Sequence, residues 1–123
     1  MTEKQRQQVL QYLKFLFPTL ENKKEMGYLW IHNPSNDFKM QLYFNNYNEA
    51  LELIAKYRHN QCYIGLATTD GQGYKLENLI NRNVILIDID EEDLDIKEIY
   101  DRCKSVGLFA HMVVNSGRGW HIY

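Results

Sequence analysis

Apolar residues follow two periodicities along this chain. Val9, Leu13, Leu16 and Phe17 recur at helical spacing and Pro18 stops the pattern, which predicts an amphipathic helix over 3–17. Two strand-like runs come next, GYLWIHN (27–33) and FKMQLYF (38–44), the second placing Phe38, Met40, Leu42 and Phe44 on one face. The intervening Pro34-Ser35-Asn36-Asp37 predicts a hairpin turn. Asn45 to Asn48 can cap a helix over 48–59 with Ala50, Ile54 and Tyr57 inward, followed by a short strand, CYIGLA (62–67), and a loop with one helical turn over 68–82.

The pattern sharpens in the last third. NVILIDID (83–90) is apolar on both faces as far as Ile87, which predicts a strand in the middle of a sheet. Ile96, Ile99, Tyr100 and Cys103 predict a helix over 95–107 ending at Gly107, and FAHMVVN (109–115) predicts another strand. Ser116–Gly119 then turns the chain into WHIY. The expected fold class is α+β: an N-terminal αβ module (1–82) followed by a partial RRM-like or ferredoxin-like β-α-β-β unit (83–123), within one domain.

Net charge is only -2, so the total suggests no polyanionic partner, but its distribution is uneven. Residues 1–82 hold ten Lys and Arg against eight Asp and Glu; residues 83–123 hold four against eight, with all eight acids between Asp88 and Asp101. That asymmetry suits a protein holding a polyanion on one side and cations on the other, and a solvated acidic loop gives the same count. Cys62 and Cys103 have no His or Cys spaced to share a zinc ion and read as buried thiols in a reducing compartment. With no apolar run long enough for a leader or a membrane span, a cytoplasmic location and no membrane partner are expected.

Side chains alternate along a strand, so Asp88 and Asp90 share a face about 6–7 Å apart. In a split β-α-β arrangement the third strand lies antiparallel beside the first, which brings His121 to the edge where the two aspartates end. Paired carboxylates are costly in a buried strand unless neutralised, and a divalent metal with oxygen ligands, Mg²⁺ or Mn²⁺, does so; the other reading is that Asp88 and Asp90 cap the strand end, solvated beside Glu91, Glu92 and Asp93. Ser116, Gly117, Arg118 and Gly119 can form an anion-binding turn of successive backbone N–H groups, helped by a hydroxyl and a guanidinium. His32, His59 and His111 are expected to be packed core residues.

ILIDID followed by NSGRGWHIY resembles the archaeo-eukaryotic primase superfamily, and its fuller Ser-Gly-x-Gly-x-His-x-Tyr form is similar to the primase-polymerases of bacterial mobile elements and phages. The resemblance implies template-directed nucleotidyl transfer with two divalent metals, Asp88 and Asp90 as metal ligands, and His121 on the phosphates of the incoming nucleotide. It further implies nucleoside triphosphates and a single-stranded DNA template as partners, with Ser116 and Arg118 assisting at the triphosphate, and a helicase domain in the parent protein. The third family motif, a further carboxylate, has no counterpart in residues 1–123, so the chain is expected to be an N-terminal fragment, inactive alone and prone to self-association through an exposed sheet edge.

Two other readings compete. An RRM-like module could bind nucleotide or single-stranded nucleic acid without chemistry, stacking bases on Tyr28, Trp30, Tyr43 and Trp120, although most of these rings are expected to lie in the core. An aspartate-nucleophile phosphatase reading of DIDEED calls for a small Thr or Val where Glu92 stands.

Overall fold

The computed structural model describes residues 1–20, 24–91 and 93–123, a mixed arrangement of helices and antiparallel sheets, α+β. The chain divides into two compact units, Met1–Asn83 and Val84–Tyr123.

In the first unit, helix α1 (Glu3–Leu16) starts in a capping box between Thr2 and Gln5, which satisfies two of the backbone N–H groups that a helix start leaves open. Strands β1 (Gly27–Asn33) and β2 (Phe38–Phe44) form the expected hairpin, in register from Gly27↔Phe44 to Asn33↔Phe38. Helix α2 (Tyr47–Tyr57) is capped by the Asn46 side chain, which accepts from the Glu49 N–H. Strand β3 (Gln61–Ile64) pairs with the other side of β1, giving the sheet order β2-β1-β3.

The helices cover one face of this sheet. Leu29, Ile31 and Phe44 are buried on the side that receives the helices, where Phe17 meets Phe44 edge-on at 5.9 Å and the Tyr47 hydroxyl donates to the Phe17 carbonyl. The alternate positions face the other way; Trp30 and Tyr63 among them are exposed, while Tyr28, His32 and Tyr43 are half-buried.

The expected strand over 62–67 is instead two. Gly65 N–H donates to the Tyr28 carbonyl, after which the chain leaves β1 and forms β4 (Ala67–Thr69) in a separate two-stranded sheet with β5 (Leu79–Arg82). The expected loop over 68–82 therefore holds both a short 3₁₀ turn, Leu76–Asn78, and a strand. A buried carboxylate ties this sheet down: Glu25 accepts from the hydroxyls of Thr19 and Thr68 at 3.2 and 3.0 Å and from the Asn81 amide. Hydrogen bonds on both oxygens offset the cost of removing the group from water.

The second unit is built from β6 (Ile87–Ile89), α3 (Ile96–Ser105), β7 (Val113–Asn115) and β8 (Trp120–Ile122). Its sheet has the order β6-β8-β7, with β8 antiparallel to both neighbours. The last strand does lie beside the first, as the split arrangement requires. The exposed edge expected along 83–90 is present, since β8 is central and β6 lies at the sheet edge, but the strand is shorter than the apolar run, three residues, and Ile85 and Ile87 are 80% and 39% exposed instead of buried on both faces. Leu94, Ile99, Cys103 and Ile122 form this unit's core, with Ile89, Val113 and Trp120 packed against it.

Cys103 is buried as expected, but Cys62 is exposed because β3 lies at a sheet edge; its Sγ lies 3.2 Å from the Tyr57 carbonyl, and partial burial pushes its thiol up. His59 and His111 are likewise exposed and His32 half-buried, so none of the three is a core histidine. Among the described residues no helix is long and apolar enough to cross a membrane.

Candidate nucleotide and metal site

The antiparallel register of β6 and β8 places Asp88 directly opposite His121. Cross-strand partners share a face, and that face is opposite the one on which Ile89, Trp120 and Ile122 meet the core. The His121 Nε2 lies 3.5 Å from Asp88 Oδ1, an ion-pair separation beyond ordinary hydrogen-bond length, and the Asp88 side chain is 57% exposed. Tyr123 has the same parity as His121, and its ring stands edge-on to the imidazole at 6.4 Å. Asp90 follows β6 and is exposed. Among the described residues neither aspartate is paired with a lysine or arginine.

The turn between β7 and β8 is shaped by two glycines for different reasons. Gly117 has φ +91° and open space around it, so conformation requires glycine there. Gly119 is required by proximity: a Cβ on it would overlap the Ile89 carbonyl oxygen and stand 3.1 Å from the Asp90 Cα. The turn is thereby seated against the end of the strand that carries the aspartates.

That geometry corrects the anion-turn expectation in part. The Ser116 N–H donates to the Gly119 carbonyl at 3.0 Å and the Gly117 N–H to Asn115 Oδ1 at 2.8 Å, so two of the supposed anion-binding donors are consumed inside the turn. What faces outward is chiefly side-chain chemistry, the exposed Ser116 hydroxyl and the Arg118 guanidinium. Asn115, overlooked as a candidate, closes the turn; an Asn just before a Ser-Gly pair is the sequence signal for such a side-chain-capped turn.

Trp120 leaves the set of base-stacking candidates. Its ring packs against the core and its Nε1–H donates to the Leu94 carbonyl at 2.8 Å, fixing the end of the acidic segment that follows Asp90. The same segment is held weakly by Arg102, 3.9 Å from Glu91. Glu92, on which the phosphatase reading turned, lies outside the described residues.

Two carboxylates with oxygen donors, exposed and unpaired by fixed cations, suit Mg²⁺ or Mn²⁺ completed by water and substrate phosphates. Among the described residues no cluster of three or more His, Cys, Asp or Glu is placed to hold a metal. Comparison with family models, curated proteins and solved structures finds no match for this chain.

Proposed function

We propose that the second unit is the nucleotide- and metal-binding part of a primase-polymerase-type nucleotidyltransferase. The observation that carries the reading is the register pair Asp88↔His121, a carboxylate and an imidazole on one exposed face at the end of an apolar strand. The seating of Gly119 against Ile89 and Asp90 supports it, since the turn bearing Ser116 and Arg118 then lies beside the end of the strand that carries the aspartates.

In this reading Asp88 and Asp90 hold the divalent metals, as one or two carboxylates commonly do when substrate phosphates complete the shell. Activation of an attacking hydroxyl and charge compensation for departing pyrophosphate are the chemistry such metals supply when bound. His121 and Arg118 orient the triphosphate by charge-assisted hydrogen bonds, and Tyr123 limits the swing of the imidazole from its flank. The apolar face beneath, Ile89, Trp120 and Ile122, holds the backbone of both strands fixed while substrate binds. No nucleophilic side chain is needed, because catalysis of this type consists of positioning and charge neutralisation. With two carboxylate ligands the chain is weakly active or inactive alone, with metal and nucleotide binding as its measurable properties.

Calorimetry tests the reading. Mn²⁺ and a deoxynucleoside triphosphate should bind more tightly together than separately in the wild type, and Asp88→Asn should remove that coupling. Metal affinity that is unchanged in Asp88→Asn and Asp90→Asn would eliminate it.

A further inference from the structure

The face of β2-β1-β3 away from the helices has a composition of its own. Register sets Tyr28 opposite Tyr43, Trp30 between Gln41 and Tyr63, and His32 between Lys39 and Gln61, so eight side chains from three strands share this face. None is acidic. Trp30 and Tyr63 are 40% and 54% exposed, whereas Tyr28 and Tyr43 are half-buried under Tyr74, whose ring stacks parallel on Tyr43 at 5.0 Å and meets Tyr28 edge-on at 4.8 Å. Tyr74 thus closes one end of the face and leaves the Trp30–Tyr63 pair open. At the other end stands Lys39, whose contact with Asp37 at 3.7 Å joins two exposed groups and leaves the cation largely available.

We propose that this face binds single-stranded nucleic acid. Exposed indole and phenol rings on adjacent strands offer π-surfaces to successive bases. Strand neighbours lie about 5 Å apart and same-face positions about 7 Å apart, within the reach of consecutive nucleotides of an extended strand. Gln41 presents an amide to base edges, and Gln61, whose Oε1 accepts from the Tyr63 hydroxyl at 2.9 Å, keeps its NH₂ as a donor. Lys39 and His32 face the phosphodiester backbone. Charge complementarity selects the occupant: with no carboxylate among the eight residues, a polyanion with planar, stackable groups matches both halves of the surface, whereas an acidic peptide would match only the cationic end. A duplex keeps its bases stacked on one another and cannot use the rings. The proposal rests on the nucleotidyl-transfer reading only for calling the bound strand a template.

The test is fluorescence anisotropy of a labelled oligothymidylate titrated with the full chain in EDTA, which takes metal binding at Asp88 and Asp90 out of the measurement. Trp30→Ala and Tyr63→Ala should each weaken binding about tenfold, and Trp30→Phe by about threefold or less. Lys39→Gln should lower the salt dependence by about one unit of slope. Asp88→Asn should bind as the wild type does, so loss of the metal site and loss of this site are read separately. Circular dichroism establishes that each variant is folded, which is expected because both rings lie outside the core. The proposal is overturned if the wild type does not bind the oligonucleotide, if the ring variants bind equally well, if a duplex of the same length or poly-glutamate competes as effectively, or if Asp88→Asn abolishes binding.

Discussion

Gly119 lies so close to Ile89 that no side chain can be placed on it without displacing the Ile89 carbonyl. The obstacle is backbone, which cannot rotate away as a side-chain tip could. Gly119→Ala should therefore destabilise the second unit by about 1–3 kcal/mol and weaken metal binding at Asp88 and Asp90, because the strand end must move. Gly117→Ala, at a position with room but with φ +91°, should cost only about 1–2 kcal/mol and leave metal binding intact. Urea unfolding and Mn²⁺ calorimetry on the two variants separate the effects; metal affinity lost equally in both would contradict the distinction.

His121→Ala should weaken nucleoside triphosphate binding by about 1.5–3 kcal/mol, the range for a hydrogen bond to a charged group. Arg118→Ala should cost less, because the guanidinium sits on an exposed turn and gains less from its charge in water. Isothermal titration with each variant gives the order, and an unchanged affinity in His121→Ala would assign the imidazole to Asp88 alone.

Asp88→Asn should leave the fold intact, and without metal it should be as stable as the wild type or slightly more so. Like charges on Asp88 and Asp90 repel on one strand end. Thermal melts in EDTA measure the balance. A large loss of stability would mean that the Asp88–His121 pair is chiefly a structural contact.

Removal of the Glu25 carboxylate should be costly in the first unit. In Glu25→Ala the Asn81 amide and the hydroxyls of Thr19 and Thr68 lose an acceptor in a buried place, with an expected loss of about 2–3 kcal/mol. Urea denaturation checks it, and a neutral effect would show that water replaces the carboxylate without penalty.

The Tyr74 phenol is pushed up to about 12 from 10.0, first by burial, then by its hydrogen bond with Tyr43 and by the charges that Tyr43 and Tyr28 acquire. A group held protonated more tightly in the folded state stabilises fully below its unfolded value and loses that contribution as pH rises through the folded one. Stability should therefore fall between pH 10 and about 12 more steeply in the wild type than in Tyr74→Phe. Unfolding midpoints measured across that range provide the check, and identical slopes would exclude the Tyr74 phenol as the cause.

Side-chain parity and antiparallel pairing were enough to bring Asp88 and His121 together from sequence, because both inferences need only that two short runs be strands. The strand that carries Asp88 was harder. Its run of Val, Ile and Leu reads as a strand paired on both sides, yet pairing is a property of neighbours that a run of apolar residues does not name, and only Ile87–Ile89 is paired, on one side. Similarly, LINR (79–82) lacks apolar alternation although it pairs with β4, and Thr68 and Thr69 are buried through polar contacts that hydropathy scores as surface. The turn at Ser116–Gly119 was legible as a turn, but not that two of its N–H donors are consumed within it, since that depends on the Ser116–Gly119 closure and on where the Asn115 side chain points.

The two tryptophans fall one to each unit, and their surroundings differ: Trp30 is open to water, while the Trp120 ring is packed and its N–H engaged. Their emission should differ accordingly, red-shifted from the first and blue-shifted from the second. Replacing Trp30 by Phe leaves a single emitter that reports only on Val84–Tyr123, and replacing Trp120 by Phe leaves one that reports only on Met1–Asn83. The chain thus carries a built-in pair of optical probes, with which one can follow whether its two halves lose structure together or in sequence.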